Sequence, residues 1–127
     1  MSYAIRNLMD VKDDAADFGI GEIQESRFPR EDVGAEQTGL AHHRIKPGKR
    51  TPMAHRHQAA EEVHVVLRGS GRVRLDDEIV ELAPLDVLRV SPETTRAFEA
   101  GPDGLEYLVF GPRHEGDGEL LKDFWTD

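Results

Sequence analysis

Histidines at 55 and 57 are the chain's first candidates for chemistry, because an i, i+2 pair on an extended segment projects to one face. The acidic pair Glu61-Glu62 follows and opens the apolar run Val63 to Leu67. Two imidazoles and one carboxylate brought to a common point make a divalent-metal site with coordination positions left open. His64 shares the strand face of Glu62 and Val66, one strand step deeper, so it belongs either beside the cluster or in the core as a buried, hydrogen-bonded histidine. On the strand-like stretch Gln37 to Ile45, His42 and Arg44 fall on one face and His43 and Ile45 on the other. The pattern leaves open which of those two histidines faces inward, and solvent exposure is the ordinary expectation for each. A serine or cysteine hydrolase is disfavoured: cysteine is absent, and Ser70 and Ser91 fall in expected turns.

The elements that would position these groups are short and β-like. Asn7 to Val11 can nucleate a turn of helix, Ile20 to Phe28 alternates weakly as an edge strand, and Pro29 to Glu36 reads as a loop. The Pro47-Gly48 turn leads into the histidine pair, and Gly69 with Gly71 is expected to close the Glu62 strand in a tight turn. Arg72 to Leu75 and Ile79 to Leu82 flank Asp76-Asp77 as a hairpin. Asp86 to Val90 is a strand stopped by Ser91-Pro92; Thr95 to Glu99, a Gly101-to-Gly104 turn and Leu105 to Phe110 complete the series. About eight short strands with regular turn punctuation predict an all-β sandwich or barrel.

The spacing His55-x-His57, Glu62, Gly69 resembles the first signature of the cupin family. Glu62 rather than Glu61 fits as the motif acid, because the six-residue step to Gly69 fits only Glu62. Gly48 stands one residue further from His55 than the family's glycine does. A second signature is expected after a hairpin, and Leu82 to Phe98 resembles it with departures. Leu85 and Glu93 stand where the family has glycine, and Arg96 stands where it has its third metal histidine. The resemblance covers roughly residues 36–112 and implies a double-stranded β-helix (jelly-roll) barrel as a single domain. An N-terminal segment at 1–35 and a tail at 113–127 would flank it. It further implies a divalent transition metal (Mn, Fe, Ni, Cu or Zn) or a small polar ligand in the wide mouth of the barrel. The family's activities run from dioxygenases and isomerases to sugar binding and sensing, so the fold does not assign a reaction.

Arg96 divides the alternatives. A guanidinium cannot ligate a cation and stays charged. At about 5 Å from a divalent ion and an effective dielectric near 20, the repulsion is about 6–7 kcal/mol. One arrangement is therefore a metal-free pocket in which Arg96 forms a bidentate pair with Glu62, and the histidines line the wall. The other keeps the metal on His55, His57 and Glu62, with His64, His43 or water adding a ligand. Arg96 then clamps a carboxylate or phosphate of the substrate. The first describes a binding module and the second a metal-dependent enzyme acting on a small anionic molecule; no catalytic residue is assigned in either.

Composition sets the outer bounds. In 127 residues, 25 acidic against 16 basic side chains give a net charge of −9, which argues against nucleic acid as a partner. The absence of a long apolar stretch argues against a membrane span, and a cytoplasmic protein is expected. Leu120, Leu121, Phe124 and Trp125 are expected to dock on the barrel or on a second subunit of a homodimer.

Overall fold

The computed structural model describes residues 2–112 and 116–127; residues 113–115, at the start of the expected tail, lie outside the described residues. Strands β1 (Gln24–Arg27), β2 (Thr38–Ile45), β3 (Ala54–His57), β4 (Glu62–Leu75), β5 (Glu78–Leu82), β6 (Val87–Val90), β7 (Arg96–Pro112) and β8 (Gly118–Leu121) form one curled antiparallel sheet. The α-helix is a single turn, α1 (Arg30–Val33), ended by Gly34 in the left-handed conformation. No helix among the described residues is long and apolar enough to cross a membrane.

β7 is the spine. Its Leu105–Phe110 portion pairs with β2 on one side and with β4 on the other, while Arg96 pairs with His55 of β3. β4 in turn carries β5 and β6. The inward face of this arrangement packs Ile45, Val66, Val73, Leu82, Phe98, Leu105, Tyr107 and Val109 as one core. The period-2 reading of β4 holds, because His64 and Val66 are 2% and 1% exposed on the inner side.

Two expected turns are absent, for one reason. β4 does not stop at Gly69 and Gly71 but runs through them, and β7 runs through Gly101 to Gly104. Both long strands bend at matching places, with register shifts between Val66 and Arg68 and between Gly69 and Gly71. Gly69 has a φ of +78°, and a Cβ there would lie 2.0 Å from the Gly104 carbonyl oxygen. A Cβ at Gly71 would lie 2.1 Å from that of Glu99. The glycines let two backbones cross closely at the barrel corner instead of reversing the chain. Ser70 is accordingly a strand residue. Upstream, Ile20 to Ile23 forms a turn rather than a strand, since the Ile20 carbonyl takes the amides of Ile23 and Gln24.

The C-terminal side chains dock on the barrel. Leu121 lies opposite Ala54 in the β3–β8 ladder, Leu120 reaches the cavity, and Arg50 and Arg74 cover the rings of Trp125 and Phe124. Trp125 donates its Nε1–H to the Thr51 carbonyl at 2.9 Å. Leu85, where the family pattern has glycine, sits at φ 70° with 76% of its surface exposed. It bears left-handed strain without packing in return. Leu85→Gly should therefore raise the melting temperature by roughly 2–4 °C, while Gly69→Ala should lower it by more than that. Thermal unfolding followed by circular dichroism checks both; a destabilised Leu85→Gly would mean that its side chain packs against something.

Candidate metal centre

β3 and the start of β4 bring the three sequence candidates together. His55 Nε2 is 3.4 Å from Glu62 Oε1, and His57 Nε2 is 3.5 Å from Glu62 Oε2. One ligating atom from each of the three residues lies within 4.8 Å of the others. These separations are long for hydrogen bonds. They match the spacing of donors around one ion, since ligand atoms at about 2.1 Å in a tetrahedron stand about 3.4 Å apart.

His57 supplies the clearest sign of fit. Both of its ring nitrogens are buried, and neither completes a hydrogen bond among the described residues. Nδ1 faces Asp117 Oδ2 at 3.3 Å, the arrangement in which a carboxylate orients a ligating imidazole. Asp117 is itself fixed, because its two oxygens accept the backbone N–H groups of Gln58, Ala59 and Ala60 at 2.8–3.0 Å. Burial pulls its carboxyl upward, but those amides outweigh burial and hold it below the usual range. Sequence reading missed Asp117 altogether. Its only local signal is the Gly116-Asp117-Gly118 setting, a turn-capping composition with no periodicity around it.

Arg96 is fully buried and points at the same carboxylate, with Nη1 3.4 Å from Glu62 Oε1. The bidentate pair expected from the sequence is not formed. Nη2 instead donates to the Ser91 carbonyl at 2.7 Å, which ties the guanidinium to the end of β6. Burial lowers its pKa, but an arginine stays charged at any physiological pH. Glu62 thus faces His55, His57 and Arg96, with His64 Nε2 at 4.0 Å. Burial would raise the Glu62 pKa, yet the imidazoles of His55 and His57 facing it at 3.4–3.5 Å outweigh burial and hold the carboxyl below its usual range.

The cluster opens into a cavity of about 340 Å³ lined by apolar side chains from Phe18, Ile20, Met53, Phe98, Val109 and Leu120 among others. His43 is the inward histidine of β2, on the wall of this cavity. His42 faces the other side yet is only 1% exposed, because its Nε2 meets Glu106 Oε2 at 2.7 Å. Solvent exposure, the ordinary expectation for these two, fails outright for His42, while His43 is half-buried against the cavity. Burial pushes His64 down to about 4 and His43 down to about 3, so both imidazoles are neutral in the folded protein.

This gives a pH dependence with a definite sign. The unfolded chain protonates these histidines near the usual 6.5, while the folded one resists until about 4. Their contribution to stability is complete above pH 6.5 and is lost as pH falls from there toward 4. The melting temperature should drop between pH 7 and pH 5, and His64→Gln should flatten the slope. A midpoint unchanged across that interval contradicts the burial of two neutral imidazoles.

Comparisons with known proteins agree with the barrel fold. An uncharacterised protein of Methanocaldococcus jannaschii is 31% identical over 103 residues, covering 79% of this chain and 81% of its own. Among solved structures, the polyketide cyclase RemF from Streptomyces resistomycificus superposes with a TM-score of 0.76 at 21% identity, over 98% of this chain and 87% of that one. A sugar phosphate isomerase from Silicibacter pomeroyi gives 0.71 at 15% identity, over 94% and 93%. The family model described as the Cupin domain matches residues 41–110, the span from β2 through His55, His57 and Glu62 to the spine strand. The chain belongs to the cupin family.

Proposed function

We propose that this cupin is a metal-dependent enzyme of oxidative or isomerising type, acting on a small molecule held in the barrel cavity. The observation that carries the reading is the convergence of His55, His57 and Glu62, whose ligating atoms lie within 4.8 Å of one another beside an orphaned His57 nitrogen. These three side chains would hold a divalent transition ion. Bound there, it would supply Lewis acidity or a dioxygen site in its open positions. Asp117 keeps His57 in the tautomer whose Nε2 lone pair faces the site. His64, neutral and buried behind Glu62, fills the space with a polar ring that adds no charge. Arg96 places a fixed positive charge beside Glu62 and the cluster, which favours a substrate with an anionic or strongly accepting oxygen. That RemF and the isomerase are enzymes on the same fold supports a catalytic reading of the cavity.

A second reading rests on one contact. Arg96 Nη1 already stands 3.4 Å from Glu62 Oε1, so the guanidinium can serve as the carboxylate's cation in a metal-free binding module. Metal titration separates the two. Calorimetry of chelator-treated protein with Mn(II), Fe(II) or Zn(II) should give one ion per chain; His57→Ala and Glu62→Gln should abolish binding. Asp117→Asn should weaken it roughly 10–100-fold, as expected when the carboxylate behind a ligating imidazole is neutralised. Arg96→His should strengthen it, by removing a buried charge and adding a donor. Wild-type protein that takes up no ion under any of these conditions would leave only the binding module.

A further inference from the structure

The cavity has a second polar centre that the metal cluster does not use. On the β1–β2 side, Thr51 Oγ1 donates to Gln24 Oε1 at 2.8 Å, and Gln24 Nε2 donates to Ser26 Oγ at 2.8 Å. Ser26 Oγ meets His43 Nδ1 at 2.9 Å, with Gln24 Nε2 3.4 Å from the same nitrogen. Gln24 and Ser26 are 3% and 2% exposed, so their hydrogen bonds cannot be exchanged for bulk water.

Direction follows from the inventory of donors. Gln24 Nε2 can only donate and faces both Ser26 Oγ and His43 Nδ1, so Nδ1 is the accepting nitrogen and the Ser26 O–H donates to it. An accepting Nδ1 puts the proton of a neutral imidazole on Nε2. No described residue takes up that Nε2–H, and the ring lines the cavity. The chain of three side chains therefore fixes a hydrogen-bond donor toward the ligand space, without a net charge.

The surroundings of this donor are aromatic. The His43 ring lies 5.2 Å from Tyr107 and 5.8 Å, edge to face, from Phe28. Tyr107 stacks on Phe98 at 4.6 Å and 24°. Phe28 meets Phe18 edge to face at 6.1 Å, and these two rings are 41% and 59% exposed. A line of aromatic faces thus runs from solvent to the Nε2–H. Apolar walls with one uncharged donor suit a flat, conjugated molecule whose carbonyl oxygen needs a single hydrogen bond.

We propose that His43 is a specificity-determining residue of this cavity: its Nε2–H, aimed by Gln24 and Ser26, binds the carbonyl oxygen of a flat, largely apolar ligand entering past Phe18 and Phe28. The assignment rests on the barrel cavity being the ligand chamber, but it does not require the metal. It gives the substrate two points of attachment, an accepting oxygen at His43 and a second polar group toward the His55, His57 and Glu62 cluster. A buried neutral imidazole makes the donor at His43 insensitive to pH over the neutral range.

Nitrogen-15 NMR of histidine-labelled, metal-free protein reads the tautomer directly, with His43→Phe identifying the signals. Expected is the Nε2–H form of His43 from pH 5 to 8. The Nδ1–H form, which would mean a reversed Gln24 amide, or an imidazolium at pH 7 overturns the proposal. Binding of 1-indanone and of indane to the same metal-free protein then tests the role. The ketone should bind roughly five- to tenfold more tightly than the hydrocarbon, and His43→Phe should erase that preference. Equal binding of the two to wild type, or a preference that survives His43→Phe, overturns it. Zn(II) titration of His43→Phe keeps the two claims apart. Unchanged metal binding is expected there, whereas absent metal binding in wild type sinks the enzyme reading while the tautomer result stands.

Discussion

One carboxylate organises this protein's interior. Glu62 is the point at which two imidazoles and a buried guanidinium meet, each at 3.4–3.5 Å. A buried charge is expensive unless it is paired, and here the pairing is shared and loose. The three partners surround Glu62 at distances long for hydrogen bonds. An ion would tighten the arrangement by drawing His55 and His57 onto itself. Arg96 sets the opposing force, since its charge is fixed and its other arm is tied to the Ser91 carbonyl.

The fold provides this meeting point through backbone crossings rather than through local motifs. β3 carries His55 and His57, and the same strand is held by β8, whose leading Asp117 both caps the turn at 58–60 and steers His57. Arg96 reaches the cluster because it opens β7 opposite His55. The bends at Gly69, Gly71 and Gly104 let β4 and β7 wrap far enough for the two ends of the barrel to differ. One end is packed with Val66, Val73, Leu82 and Leu105, and the other opens onto the cavity.

Much of this was legible in the sequence. The i, i+2 histidines and Glu62 on a strand of strict alternation placed three side chains on converging faces, and His64 followed from the same period. Arg96 came from the family resemblance alone; nothing in its local sequence marks it as buried. Asp117 and the Gln24–Ser26–His43 chain were missed because each depends on contacts across the sheet that leave no periodic trace. Alternation on β2 could separate His42 from His43 but not say which faced inward. Both are shielded, one by Glu106 and the other by the cavity wall. The glycine bends were misread as turns because composition does not distinguish a reversal from a close crossing of two backbones.

The most direct test of the central claim is anomalous X-ray scattering from crystals grown with Mn(II). The account predicts a single peak bounded by the Nε2 atoms of His55 and His57 and an oxygen of Glu62, with Asp117 still facing His57. Density without such a peak, and with the Arg96 guanidinium moved into the space between the two imidazoles, would contradict it.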